Sequence, residues 1–526
     1  MRLRTPCTIC TKPLDLASES PLSETETIRI YKCGHAFIGE KNVPTDTDCF
    51  AESDFASRDG RKSAFGYQRE GVGFCHNTQF NCLIADPMGL GKTIQALLAA
   101  KTGGFKRILI IVKSATIYQW FQESKEWFDA SLWSVFMIQG SKDFIPPGFS
   151  VYLMSMDTLG RFVSFNGRGE CIRVDAKLQN LEFDLLIVDE CHSFKNTEAK
   201  RSKSLVGFIQ HSGIKHKILL SGTPIKNRAD EYFVPLNILK PEIFTSLASF
   251  RRQWLEQDPN TGKWSRIRPR QYDEFQRMTA QFVIRREKNK VLSLPPFRRT
   301  FEHLFIEDET LKAQYNKALA DLRHLADTAK GELTFWDIQE NLMTLRRITG
   351  MAKVPFATEY IDTFLDTTEN EKIAIGVHHE GVRDNLYYAL DQRGFLPLKL
   401  SGEDTAERKN QIVTKFCRDE SRRVLIINML AGGVGLNLQA CNNVLILERQ
   451  WNAADEEQFE GRFNRHGQTL PVLAEYMIAK GTIDEYFSAL VEKKRVICGE
   501  TLDGWSFADD KLAVRELVDA VTQRRL

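Results

Sequence analysis

The densest chemistry in the chain lies in Asn81–Thr93, NCLIADPMGLGKT. An apolar run ends at Ala85, a loop bearing Gly89 and Gly91 follows, and IQALLAA continues as a predicted helix. Amide groups of such a loop, with the first turn of a helix, point at phosphate oxygens. Lys92 is then placed to reach β- and γ-phosphates, and the Thr93 hydroxyl to ligate Mg²⁺. The usual pattern opens on glycine, whereas Asp86 stands at that position here. Downstream, FDLLIVDECH (Phe183–His192) carries four apolar residues into Asp189 and Glu190. The carboxyl ends of parallel strands are where ligands sit in open α/β sheets. An aspartate there can hold Mg²⁺, and a neighbouring glutamate can orient and deprotonate an attacking water. The pair of segments predicts hydrolysis of a nucleoside triphosphate, with Lys92, Asp189 and Glu190 as catalytic groups.

Kinases and GTPases share those two segments, so the distal half must discriminate. It contains NMLAGGVGLNLQ (Asn428–Gln439) and QFEGRFNRHGQ (Gln458–Gln468). Gly432, Gly433 and Gly435 permit close backbone approach to a ligand. Arg462 and Arg465, three apart on a predicted helix, would face the same way. Two guanidinium groups offered to a terminal phosphate have the charge and geometry of arginine fingers. At the other end, Cys7 and Cys10 have the spacing of a metal knuckle, followed by Cys33, His35 and Cys49. Four such ligands around tetrahedral Zn²⁺ would let a small polar module fold with little core. Cys7, Cys10, Cys33 and His35 form the expected set, with Cys49 as the alternative fourth ligand. A RING finger needs eight ligands, and only five are present.

These groups need elements to hold them. Cys82–Ala85, Ile108–Val112, Val151–Met154, Leu185–Val188 and Ile218–Leu220 read as apolar strands alternating with helices. Ile373–Val377, Pro397–Leu400, Val424–Ile427, Val444–Leu447 and Ala474–Ile478 repeat that rhythm. Continuous apolar strands separated by helices predict parallel sheets covered on both faces. The fold class expected is α/β, with two parallel-sheet lobes, helical insertions between them and a small N-terminal zinc-binding module. The expected divisions are 1–60 for that module and 61–290 for the first lobe, with a helical insertion from about 227. A helical linker at 291–350 and a second lobe at 351–526 follow.

Composition excludes several alternatives. With 526 residues, 42% apolar and 27% charged, the chain is ordinary globular protein. No apolar run approaches the ~18 residues of a membrane helix, and MRLRTPCTIC lacks a signal core, so an intracellular protein with no membrane association is expected. Eleven cysteines, an odd number and mostly dispersed, suit reduced thiols. Net charge is only +2. Locally, residues 251–300 hold thirteen Lys/Arg against five Asp/Glu, whereas residues 1–60 hold seven against ten. Such a basic stretch either lines a phosphate-binding channel or is a solvated helical surface.

The ordered set of segments resembles a superfamily 2 helicase-type motor, specifically the SWI/SNF-related DNA translocases. AFGYQREGVGF (64–74) is similar to the adenine-reading segment, Gln68 matching the base-contacting glutamine. DPMGLGKT, LIIVKSATIYQW (109–120), DECH and SGTPIKN (221–227) resemble motifs I, Ia, II and III. FVIRREKNKVLSLPP (282–296) resembles the stretch joining the lobes. AGGVGLNLQ and QFEGRFNRHGQ resemble motifs V and VI, and LRRITGMAKVP (345–355) is similar to the annealing-helicase branch. The likeness runs from about Phe65 to Ala489. Departures are Pro87 for an acidic residue, Cys191 within the DECH box and Ser221 for threonine.

The resemblance implies RecA-like lobes and an ATP-driven double-stranded DNA translocase that remodels branched DNA or protein–DNA complexes. It implies ATP and Mg²⁺ at Gln68, Gly89, Gly91, Lys92, Thr93, Gly433 and Gly435, with Thr223 linking the ATP site to the DNA groove, and it turns the reading of the basic 251–300 stretch toward DNA contact. A monomer working with DNA in a nucleus or nucleoid is expected, with a protein partner open to the N-terminal module. The alternatives are a strand-separating DNA or RNA helicase and a zinc-module adaptor with a vestigial motor.

Overall fold

The computed structural model describes residues 16–23, 26–31, 36–38, 50–142, 144–167, 169–222, 224, 229–257, 264–328, 335–429, 436–450 and 453–502. Two all-parallel sheets dominate it. Across the first, the order is Val283–Ile284, Asn81–Ile84, His216–Leu220, Leu185–Val188, Ile108–Val112, Val151–Ser155 and Val135–Ile138. Across the second it is Phe297–Leu304, Val472–Ala479, Asn443–Ile446, Ile373–Val377, Val424–Asn428 and Leu398–Leu400.

The apolar strands explain the layering. Successive side chains on a strand point to opposite faces, so a strand apolar at every position is buried on both. Leu109, Ile111, Leu186 and Val188 enter one core, while Ile108, Ile110, Leu185 and Ile187 enter another across the same sheet. The second sheet divides in the same way, Leu425 and Ile427 against Val424 and Ile426. Helices such as Lys92–Thr102, Ile117–Trp127 and Lys200–Ser212 carry the chain from one parallel strand back to the start of another.

Joining the strands Phe297–Leu304 and Ile373–Val377 of the second sheet, the helices Glu309–Thr328 and Phe335–Thr367 pair through Tyr315, Leu319, Leu322, Leu342, Leu345 and Ile348. The apolar positions recur at three- and four-residue spacing, which puts them on one stripe. Ile483 and Phe487 of the helix Ile483–Leu502 complete this core. The stretch Leu345–Pro355 lies inside the longer helix. There Thr349 Oγ1 donates to Asp484 at 3.0 Å and Lys353 pairs with the same carboxylate.

Two expected divisions need correction. Phe297–Leu304, within the stretch expected to be a helical linker, is the edge strand of the second sheet and pairs along its whole length with Val472–Ala479. Its sequence, FRRTFEHL, is mostly exposed and charged, as suits an edge strand, and so lacks the apolar signature of a central one. Residues just before 61 also belong to the first lobe. Phe55 is buried in its core, and the Arg58 amide donates to the Glu126 carbonyl at 2.7 Å.

The short strands Leu16–Ser23, Glu26–Tyr31 and Ala36–Ile38 form a separate antiparallel sheet. Cys7, Cys10, Cys33, His35 and Cys49 lie outside the described residues. Cys75, Cys82, Cys171, Cys191, Cys417 and Cys441 are free thiols. Among the described residues, no helix is long and apolar enough to cross a membrane.

Candidate functional site

The phosphate loop joins the strand Asn81–Ile84 to the helix Lys92–Thr102 at the carboxyl end of the first sheet. Gly89 (φ +89°) and Gly91 (φ +68°) occupy the left-handed region, which glycine enters without a Cβ clash. Space enforces the second choice as well, because a Cβ on Gly91 would sit 2.4 Å from Gln68 Nε2. Gln68 itself is buried. Its Oε1 accepts the Phe65 amide at 3.0 Å and its Nε2 donates to the Leu90 carbonyl at 3.3 Å. The glutamine therefore caps the helix Gly66–Asn77 and braces the loop with one side chain.

Lys92 Nζ donates to the Asp86 carbonyl at 2.8 Å. Burial lowers its pKa, opposed by Glu190, Asp189 and Asp86. An ammonium held against loop carbonyls can exchange those acceptors for phosphate oxygens. Asp189 Oδ2 accepts the Trp120 indole N–H at 2.8 Å, and Oδ1 accepts the Glu190 amide at 2.9 Å. Burial and the adjacent Glu190 push its carboxyl above the usual range. Burial acts on Glu190 in the same sense. There the His192 hydrogen bond and charge, with Lys113 and Lys92, outweigh it and hold the group as carboxylate. His192 Nδ1 lies 3.1 Å from Glu190 Oε2 and 3.0 Å from Ser221 Oγ, linking the DECH turn to the SGT segment. Glu190 has φ +48°, an uncommon backbone state for a non-glycine residue and one that recurs at functional turns.

The Asp189 and Glu190 carboxylates beside the Lys92 ammonium, with the Thr93 hydroxyl on the first turn of the helix Lys92–Thr102, form a donor set of hard oxygens. That chemistry fits Mg²⁺.

The second lobe reaches this site through Gly461–Gly467. The helix Ala453–Glu460 ends before these residues, so Arg462 and Arg465 sit on a turn, not on the expected helix. Glycines at 461 and 467, the latter at φ +94°, break the helical run. Even so, both arginines face the first lobe. Burial and Arg465 depress the Arg462 guanidinium to about 10, while Glu190 and Asp189 act to raise it. Arg465 Cβ lies 3.2 Å from where a Cβ on Gly89 would stand, and Gly461 approaches Met88 in the same way at 3.4 Å. The His466 ring meets Phe65 at 4.5 Å between centroids. Of the other expected residues, Thr223, Gly432, Gly433 and Gly435 lie outside the described residues.

Sequence reasoning gave the basic stretch at 251–300 to DNA, but several of its cations are spent inside the fold. Arg286 Nη2 lies 2.5 Å from Asp86 Oδ2, and its backbone amide donates to Oδ1 at 3.1 Å. Its guanidinium also donates to Gln95 Oε1 at 2.7 Å. Arg285 Nη1 donates to the carbonyls of Ala85 (3.1 Å) and Gly222 (3.4 Å). Arg251 pairs with Asp230 and Arg299 with Glu460, each at 2.6 Å. Stripping a buried carboxylate of its partner costs about 3–5 kcal/mol, so Arg286 is committed to Asp86 and unsuited to gripping DNA. This also accounts for an aspartate at the loop's first position: it anchors the segment that joins the lobes. Trp120, Gln95 and His192 were not recognised as site residues, although all three lie in segments already quoted, and Arg285 and Arg286 were read only as part of the basic stretch.

The chain matches the SNF2-related domain over residues 67–353 and the helicase conserved C-terminal domain over 357–467. It is 27% identical over 437 residues to SWI/SNF-related matrix-associated actin-dependent regulator of chromatin subfamily A-like protein 1 of Xenopus laevis, covering 82% of this chain and 43% of that protein. It is also 27% identical over 488 residues to DNA annealing helicase and endonuclease ZRANB3 of Mus musculus, covering 88% of this chain and 44% of that protein. The chain thus spans less than half the length of both relatives. Among solved structures, the Sulfolobus solfataricus SWI2/SNF2 ATPase core in complex with dsDNA matches at 22% identity and a TM-score of 0.40, covering 88% of this chain and 97% of that one. With more than half of its residues inside the first of those two domains, the chain belongs to the SNF2-related family.

Proposed function

We propose that this protein is an ATP-dependent double-stranded DNA translocase that tracks along duplex and remodels branched DNA or protein–DNA complexes. The observation that carries the reading is the convergence of Arg462 and Arg465 from one lobe on Lys92, Asp189 and Glu190 of the other. Catalytic groups divided between two lobes make hydrolysis depend on closure, and closure in turn can move whatever each lobe grips. Lys92 would hold the β- and γ-phosphates, and Glu190 would orient and deprotonate water. Asp189 and Thr93 would hold Mg²⁺, which supplies charge neutralisation on the phosphates. Gln68 would lie against the base. The choice of DNA draws on the relatives, one named as a DNA annealing helicase and another as a regulator of chromatin. Work on DNA in a nucleus or nucleoid, as a monomer, belongs to the same reading.

The test is a titration of ATPase rate against linear duplex, forked duplex, single strands and duplex RNA at several salt concentrations. Duplex DNA should accelerate turnover whatever its base sequence. Affinity should fall with salt at a slope of about −0.9 per neutralised phosphate on a log–log plot. Equal stimulation by RNA, or affinity indifferent to salt, would overturn the DNA assignment while leaving the ATPase standing.

Zinc in the N-terminal segment belongs to this proposal too, through Cys7, Cys10, Cys33 and either His35 or Cys49. Protein purified without chelators should carry one zinc per chain, and Cys10→Ser should release it without unfolding the lobes. Metal analysis finding no zinc would remove this element.

A further inference from the structure

Lys288 opens a four-residue helix, Lys288–Val291, on the segment that joins the lobes. Its position is set from two sides. Upstream, Val283–Ile284 pairs with the strand that feeds the phosphate loop, and Arg285 and Arg286 tie the next two residues to Ala85, Gly222 and Asp86. From the other lobe, the Asn464 carbonyl accepts a hydrogen bond from Lys288 Nζ. The half-buried ammonium therefore overhangs the phosphate loop, 3.5 Å from where a Cβ on Gly89 would stand, on the same side as Arg465. It also borders a cavity of about 600 Å³ lined by Pro87, Glu287, Leu294 and Asn464, among others.

The charges around it do not balance. Among the described residues, no carboxylate forms an ion pair with Lys288, and its two strongest charged neighbours, Arg465 and Lys92, are cations. Glu460 acts in the opposite sense but is already bound by Arg299 and the Tyr476 hydroxyl. Burial, then Arg465 and Lys92, bring the ammonium down to about 8. A half-buried cation held beside two others over a glycine loop, with no carboxylate paired to it, is costly unless an anionic ligand completes the set.

We propose that Lys288 is a binding residue for the terminal phosphate of ATP, supplied by the inter-lobe segment and held in waiting on the Asn464 carbonyl. This rests on the nucleotide reading of the loop and adds to it a cation belonging to neither the loop nor the arginine turn. Because its acceptor lies on the arginine turn, transfer of the ammonium to phosphate would report the nucleotide's state to the second lobe.

The experiment compares Lys288→Gln and Lys288→Arg with the unmodified full chain. It measures affinity for a non-hydrolysable ATP analogue and for ADP, together with kcat and KM for ATP and the melting temperature of the nucleotide-free protein. Lys288→Gln should weaken the ATP analogue on the order of tenfold, as for loss of one charge-assisted hydrogen bond. ADP binding should stay within about twofold, because no terminal phosphate is present for the lysine to meet. Lys288→Arg should recover most of the loss. If wild type binds and hydrolyses ATP while Lys288→Gln matches it, or loses ATP and ADP equally, the assignment of Lys288 is overturned and the ATPase reading survives. If wild type binds neither nucleotide, the ATPase reading itself fails. Should Lys288→Gln melt early, Lys288→Arg decides: a folded arginine variant that loses the preference for ATP over ADP also overturns the assignment.

Discussion

Arg465→Ala is expected to lower kcat about 10³-fold, the lower end of what an arginine finger contributes, while KM for ATP changes by less than about threefold. The reasoning starts from its position. Arg465 stands on a turn of the second lobe, packs its Cβ against the loop at Gly89 and is depressed by burial. Its guanidinium donates one long hydrogen bond, 3.5 Å, to the Leu436 carbonyl. A guanidinium so weakly engaged in the fold is available to charge that grows on the phosphate during transfer. An interaction made only in the transition state raises kcat without tightening substrate binding. The same change should therefore leave nucleotide affinity and melting temperature nearly untouched. Steady-state ATPase with saturating duplex, set beside binding of a non-hydrolysable analogue, checks this. A variant with normal turnover, or one losing affinity as much as rate, would return Arg465 to the status of a packing residue.

Glu190→Gln should cut turnover by about 10²–10⁴-fold and leave ATP bound. The substitution keeps side-chain length, and an amide oxygen can still accept the His192 hydrogen bond that spans 3.1 Å in the native protein. It removes the negative charge that His192, Lys113 and Lys92 hold in place, and with it the group proposed to align and deprotonate water. The expected signature is a long-lived ATP complex, seen as retained nucleotide after gel filtration and the absence of a product burst. Lys92→Ala should fail earlier, at binding, because it deletes the ammonium that faces the phosphates. Near-normal hydrolysis by Glu190→Gln would sink the role given to that residue.

Much of this site is written in short stretches of chain. The phosphate loop, the DECH turn and the apolar strands that end in them are local patterns, whose strand-loop-helix order is set by glycine, by alternating faces and by where polarity begins. From those stretches, Lys92, Asp189 and Glu190 are legible with their neighbours still unknown. Arg462 and Arg465 are legible as a pair, but not their conformation, because the glycines at 461 and 467 that flank them set a turn where a helix was expected.

Long-range pairing, by contrast, was decided only when the chain folded. Nothing around Arg286 indicates that it neutralises Asp86, 200 residues earlier, and a cluster of positive charge looks the same whether solvated, salt-bridged or offered to phosphate. Trp120 meets Asp189 across 69 residues, and Phe297–Leu304 joins its sheet across a still longer separation while showing no continuous apolar run. The physical reason is common to all three. Periodicity and turn chemistry act over a few residues, whereas the partner of a charge and the neighbour of an edge strand are set by which surfaces the two lobes bury. The sequence therefore determined the family and the residues of its loop and turns. Tertiary structure alone determined which cations gather over the loop and which are paired inside the fold.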